Sequence, residues 1–244
     1  MMTTELKDKV AIVTGGSRGI GFSVAQALLA EGASVFICGR DPKSLLVALE
    51  KLRVASPANV DGSAADVRNY EDCRKLVRAT AERFGGLDIL VNNAGVGIFK
   101  PVDQLSVEEW DTTIQTNLSA VFYCCREAIP LMRKRGGGYI FNISSLAGVN
   151  PMATGSAYNA SKFGVNGFSE AMMQDVRYDG IRVSYLMPGS VDTDFAAAPG
   201  SKPRQAWKLT GEDVAKAVID LYKFPTTALA SRIEMRPAQP PRKK

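Results

Sequence analysis

Val10-Ala-Ile-Val-Thr-Gly-Gly-Ser-Arg-Gly-Ile-Gly21 decides the fold. A β-branched apolar run, Val10–Thr14, stops at spaced glycines, and an apolar helical stretch, Phe22–Ala30, begins at once behind them. Glycines let the backbone turn sharply and approach a ligand, and a helix N-terminus offers free N–H groups to a phosphate. The spacing Gly15, Gly19, Gly21 differs from G-x-G-x-x-G, and the chain has no Gly-Lys dipeptide, so it carries no P-loop. Outward from this turn the same unit recurs. Strand-like runs are Ser34–Cys38, Ile89–Asn92, Tyr139–Ile143, Ile181–Met187 and Ser231–Arg236, with a weaker one at Asn59–Ala64. Most are continuous rather than alternating, as strands buried on both faces are. Helical stretches lie between them. Asp41-Pro42 reads as an N-cap followed by proline, Ser106-Val-Glu-Glu109 as a capping box opening a helix to Met132, and Thr210-Gly-Glu-Asp213 as a further helix start. This alternation predicts a single doubly wound α/β domain over residues 1–236, a seven-stranded parallel sheet with helices on both faces. In such sheets ligands bind at the carboxyl ends of the strands.

The second strand ends in Gly39-Arg40, where an NAD site would carry an acid on the ribose. Without that carboxylate, Arg40 and Arg18 can pair with a 2′-phosphate. Further on, Tyr158-Asn-Ala-Ser-Lys162 sets a phenol and an ammonium one helical turn apart, and Ser145 follows the strand Tyr139–Ile143. Asn117 stands inside the long helix, where it is either a tolerated polar position or a water-holding amide.

Composition narrows the chemistry. The 244 residues are 45% apolar and 23% charged, ordinary for a globular chain, and include no histidine. Acid–base work therefore falls to Tyr, Lys, Asp, Glu or Cys. No apolar run reaches the roughly 18 residues of a membrane span. Residues 1–10 lack the apolar segment of a secretory signal. Four cysteines without a CxxC pair predict a reducing, cytoplasmic setting. Of the net charge of +5, three units sit in Arg242, Lys243 and Lys244, so neither nucleic acid nor membrane is an expected partner. The tail 237–244 is expected to be disordered. No metal site is expected.

Thr14-Gly-x-x-x-Gly-x-Gly21, Asn92-Asn-Ala-Gly95, Asn117, Ser145, Tyr158-x-x-x-Lys162 and Pro188-Gly-x-x-x-Thr193 occur in order. Together they resemble the short-chain dehydrogenase/reductase superfamily over residues 6–236, and most of all its 3-oxoacyl-acyl-carrier-protein reductases and related carbonyl reductases. The resemblance implies an oxidoreductase that moves a hydride between NADP(H) and a carbonyl or secondary alcohol. Tyr158 would be the acid–base group. Lys162 would hold the ribose and lower the Tyr158 pKa, Ser145 would bind the substrate oxygen, and Asn117 would hold a relay water. Cofactor contacts are implied for Gly15, Ser17, Arg18, Gly19, Ile20, Gly21, Arg40, Asp66, Val67, Asn92, Ala94, Gly95, Tyr158, Lys162, Pro188, Gly189, Val191 and Thr193, with Asp66 on the adenine and Thr193 on the carboxamide. It also implies a dimer or tetramer through Ser106–Met132 and Tyr158–Tyr178, with Ala120, Ala128, Ala171, Met172 and Met173 suited to the interface. The chain departs from its relatives in a short lid between Thr193 and Thr210 and in a C-terminus, Arg236–Lys244, that replaces a Gly-rich segment. Ile98, Phe99, Met152 and Phe195 would make an apolar substrate wall. Lys100, Lys202 and Arg204 are either solvated or meet an acidic carrier. Two other readings stay open: a non-enzymatic dinucleotide sensor, and an S-adenosylmethionine-dependent methyltransferase.

Overall fold

A computed structural model describes residues 6–193, 195 and 205–241. Seven strands form one sheet: β1 (Val10–Val13), β2 (Ser34–Gly39), β3 (Val60–Ala64), β4 (Ile89–Asn92), β5 (Gly138–Ile143), β6 (Ile181–Pro188) and β7 (Arg232–Met235). Their order is β3-β2-β1-β4-β5-β6-β7, with parallel pairing throughout. Strand order reverses beside β1, whose Ala11 pairs with Val35 on one side and Ile89 on the other. The crevice for a ligand lies at that reversal, above the carboxyl ends of β1 and β4.

Helices α1 (Gly19–Ala30), α2 (Pro42–Ala55) and α7 (Gly211–Tyr222) cover one face. On the other lie α3 (Tyr70–Phe84), α4 (Val107–Ile114), α5 (Ala120–Lys134) and α6 (Ser156–Val176). The continuous apolar runs follow from this sandwich. In β1, Ala11 and Val13 enter the first core while Ile12 enters the second. Predicted caps form as the sequence dictates: Asp41 accepts from the Lys43 and Ser44 amides, and the Ser106–Glu109 and Thr210–Asp213 boxes both close. The long helix does not run as a plain α-helix. Gln115–Ser119 makes a π-helical turn between α4 and α5, and it carries Asn117. Pro130 lies within α5.

Several sequence expectations need correction here. Ala120, Ala128 and Met172 are buried in the chain's own second core, so they are not surface for a partner; Ala171 is exposed and Met173 half-buried. Lys100 is exposed, as expected, and makes a surface ion pair with Glu109. Lys202, Arg204, most of the lid and residues 242–244 of the tail lie outside the described residues. Among the described residues no helix is long and apolar enough to cross a membrane, and no cluster could hold a metal ion.

Candidate active site

The glycine turn is held from the neighbouring strand. Thr14 Oγ1 accepts hydrogen bonds from the Asn93 and Ala94 amides at 3.0 and 3.1 Å. In return, Asn93 Nδ2 donates to the Thr14 and Gly15 carbonyls at 3.0 and 3.1 Å. Only glycine fits this arrangement. Gly15 has φ +64°, and a Cβ there would lie 2.9 Å from Ala94 Cα. A Cβ on Gly21 would lie 2.4 Å from both Asn93 Nδ2 and the Gly15 carbonyl oxygen. Arg18 stands at the N-cap of α1 with no side chain capping the first turn and no acid within it. The free N–H groups and the positive dipole end therefore face the crevice. Gly39 packs over Ser17: a Cβ there would be 3.0 Å from Ser17 Oγ. Arg18 and Arg40 are exposed at the rim, and neither is ion-paired among the described residues.

At the opposite end of the cleft, β5 and α6 bring the expected trio together. Ser145 follows the strand and opens a short 3-10 turn, Leu146–Gly148, its Oγ accepting from the Ala147 amide at 3.1 Å. Tyr158, in the first turn of α6, stands close enough for this hydroxyl to oppose the rise of its phenol pKa. Lys162, one turn on, is 5% exposed and donates from Nζ to the carbonyl of Ile143, the last residue of β5, at 2.9 Å. Its Nζ lies 5.8 Å from the Tyr158 ring centroid. Phe99 and Phe195 flank the Tyr158 ring, with centroids 5.5 and 5.8 Å away.

Burial governs the protonation of this trio. It pulls the Lys162 ammonium down to about 8. It also raises the Tyr158 phenol above its ordinary value, and the Ser145 hydroxyl offsets only part of that. In the chain alone the Tyr158 phenol is therefore raised, opposite to the direction the resemblance implies for Lys162.

Ser17, Arg18, Gly15, Gly19, Ile20, Arg40, Val67, Ala94, Gly95, Ser145, Tyr158, Lys162, Pro188, Gly189, Val191 and Thr193 all line one cleft of about 710 Å³. Four expected residues do not line it. Gly21 is buried beneath the turn. Asn92 points into the core, where its Nδ2 donates to Asn142 Oδ1 at 2.8 Å and to Cys125 Sγ at 3.3 Å. Asp66 holds the Arg68 guanidinium, which keeps its carboxyl below the usual range, while its neighbours Ala65 and Val67 form the wall. Asn117 is 1% exposed and its side chain is tied to its neighbours: Oδ1 accepts from the Val96 amide, and Nδ2 donates to the Val96 carbonyl and Ser161 Oγ.

Sequence reasoning passed over two residues that the cleft uses. Asn93, beside Asn92 in the same motif, fastens the glycine turn. Thr116, in the π-helical turn, lines the cleft with a buried Oγ1 that has no hydrogen-bond partner. The π turn was the available signal, and no periodicity announces one.

A nucleotide-type doubly wound sheet whose cleft runs from an open helix N-terminus to a buried phenol and ammonium defines the class. Residues 9–203 match the short chain dehydrogenase family, and the chain belongs to it. It is 34% identical over 233 residues to an uncharacterised oxidoreductase of Staphylococcus saprophyticus, covering 96% of this chain and 99% of that protein. Among solved structures, a metagenomic short-chain oxidoreductase in complex with NADP is 34% identical, with a TM-score of 0.83 and coverage of 96% and 99%. An alcohol dehydrogenase of the archaeon Thermococcus sibiricus, complexed with 5-hydroxy-NADP, is 29% identical, with a TM-score of 0.87 and the same coverage.

Proposed function

We propose that this chain is an NADP(H)-dependent oxidoreductase acting on a carbonyl or secondary alcohol, with Tyr158 as its acid–base group. One observation carries the reading: Ser145, Tyr158 and Lys162 converge at one end of the cleft whose other end is the uncapped N-terminus of α1. The residues fit a dinucleotide. Gly15 and Gly21 let the turn close tightly on Ala94 and Asn93, the first turn of α1 awaits an anion, and Thr116 Oγ1 is an orphaned buried hydroxyl on the wall among the described residues. Arg18 and Arg40, with Gly39 in place of an acid, suit a 2′-phosphate. The bound NADP structure of the metagenomic relative supports this choice of cofactor.

The cofactor supplies the hydride; the protein supplies orientation and a proton. In reduction the Tyr158 phenol gives its proton to the carbonyl oxygen, and Ser145 Oγ donates a second hydrogen bond to that oxygen. Lys162 spends one of its three N–H donors on Ile143, which leaves two for the ribose hydroxyls. Phe99 and Phe195 exclude water around Tyr158 and favour an apolar substrate. 3-Oxoacyl thioesters are one arm of the substrate panel. Tryptophan fluorescence titrations with NADPH and with S-adenosylmethionine separate this reading from methyl transfer. A panel of ketones and 3-oxoacyl thioesters is then followed by NADPH oxidation. Tyr158→Phe is expected to retain NADPH binding and to lose about a hundred- to ten-thousandfold in turnover. Near-native turnover in that variant would remove Tyr158 from the mechanism.

A further inference from the structure

Behind the trio lies a buried polar node on α6 that none of the chemistry above uses. Asn166 lies one turn beyond Lys162 on the inner side of the helix and is 8% exposed. Its Oδ1 accepts from Ser144 Oγ at 2.6 Å, and its Nδ2 donates to the Gly148 carbonyl at 3.0 Å. Ser144 Oγ also reaches the backbone carbonyl of Lys162 at 3.4 Å. One amide thus grips both ends of the segment Ser144–Gly148, whose second residue is Ser145. The fit is close. A Cβ on Gly148 would lie 2.6 Å from Asn166 Nδ2 and 2.9 Å from the Lys162 carbonyl oxygen. Asn159, two turns before Asn166 and also 8% exposed, extends the grip. Its Nδ2 donates to the Ala147 and Asn150 carbonyls at 2.6 and 3.0 Å, and its Oδ1 accepts from the Met152 amide at 3.2 Å.

We propose that Asn166 is a positioning residue: it locks the loop that carries Ser145 onto the helix that carries Tyr158 and Lys162, and so sets where the Ser145 hydroxyl stands relative to the Tyr158 phenol. Two buried asparagines are an expensive way to pack a helix, because a buried amide left without partners is strongly destabilising. Here each amide satisfies loop carbonyls or hydroxyls that would otherwise be stranded, and the geometry they impose is that of the reacting pair. The inference rests on reading Tyr158 as the acid–base group.

The test is a spectroscopic titration of the Tyr158 phenol, by ¹³C-tyrosine NMR, in protein saturated with NADP⁺. The Tyr158→Phe variant assigns the signal, and Lys162 is present throughout. Ser145→Ala removes the hydroxyl directly and is expected to raise the phenol pKa by roughly one unit. Asn166→Leu, close in volume, is expected to raise it in the same direction while NADP⁺ affinity stays unchanged. Adding Asn166→Leu to Ser145→Ala is expected to produce no further rise, since both act through one contact. An unshifted phenol in Asn166→Leu, or a full second rise in the double variant, overturns the proposal. Should Asn166→Leu fail to fold, Ser144→Ala removes one bond of the node and must give the same upward shift. Failure of the functional reading shows itself separately, as absent NADP⁺ binding or as undiminished turnover in Tyr158→Phe.

Discussion

Lys162 shows how much a single buried cation costs. Burial takes its pKa from 10.5 to about 8, a difference worth about 3 kcal/mol. Between those two values the unfolded chain binds more protons than the folded one, so stability rises with pH across that window. Below pH 8 the full penalty is present. Lys162→Met, which discards the ammonium but also the bond to Ile143, is expected to stabilise the cofactor-free protein by about 2 kcal/mol at pH 7. That gain is expected to shrink toward pH 10 and to accompany a loss of turnover; urea melts at pH 7 and pH 9.5 check it. Arg40 bears on specificity. It faces the cleft unpaired among the described residues, and a charge-assisted bond to a 2′-phosphate is worth about 1.5–3 kcal/mol. Arg40→Ala is expected to weaken NADPH binding roughly ten- to a hundredfold and to leave NADH binding nearly unchanged, as paired fluorescence titrations would show. Equal affinities for the two cofactors in the unaltered protein would refute the charge argument.

Between residues and elements, the glycine turn is the joint that matters, because it is shaped by β4 as much as by itself. A methyl at Gly21 would displace Asn93 Nδ2 and the Gly15 carbonyl together. Gly21→Ala is expected to cost about 1–3 kcal/mol in stability. It is also expected to weaken NADPH at least tenfold, measured by thermal melts and a binding titration on the same preparation. Much of this was legible in the sequence. The run Val10–Thr14, the spaced glycines and the uncapped Phe22–Ala30 helix gave both the strand and the helix on either side of the turn, and the weak run Asn59–Ala64 proved to be β3. What stayed hidden was which way side chains face. A strand buried on both sides has no polar face to set its phase, so Asn92 and Asn93 could not be told apart from spacing. One of them turned out to serve the core and the other the cleft. Asn117 escaped for a different reason: the π turn rotates the helix locally, and its amide closes on Val96 across a gap of 21 residues. Asp66 was spoken for by a neighbour only two positions away, Arg68.

Taken whole, the molecule has one side that is more apolar than a lone chain needs. Trp110 on α4, Phe122 on α5 and Phe163 on α6 are 40%, 45% and 47% exposed, and Phe122 lies against Phe168 with ring centroids 6.3 Å apart. Helices α4, α5 and α6 are expected to meet a second copy through these rings rather than through the small residues that the sequence singled out. Light scattering at micromolar concentration is expected to give a dimer or larger assembly, and Phe122→Glu with Phe163→Glu to give a monomer. A monomeric parent protein would end that reading. The parallel sheet has another consequence, this time in the order of synthesis. Asn93 and Gly15, which must bond to complete the phosphate turn, stand 78 residues apart in the chain. At roughly 5–20 residues per second, a ribosome exposes the turn on the order of 4–16 seconds before its clamp exists. For that interval the growing chain holds a glycine-rich segment with nothing to shape it, and no nucleotide can rescue it early, because the strand that would make it a binding site has yet to be translated.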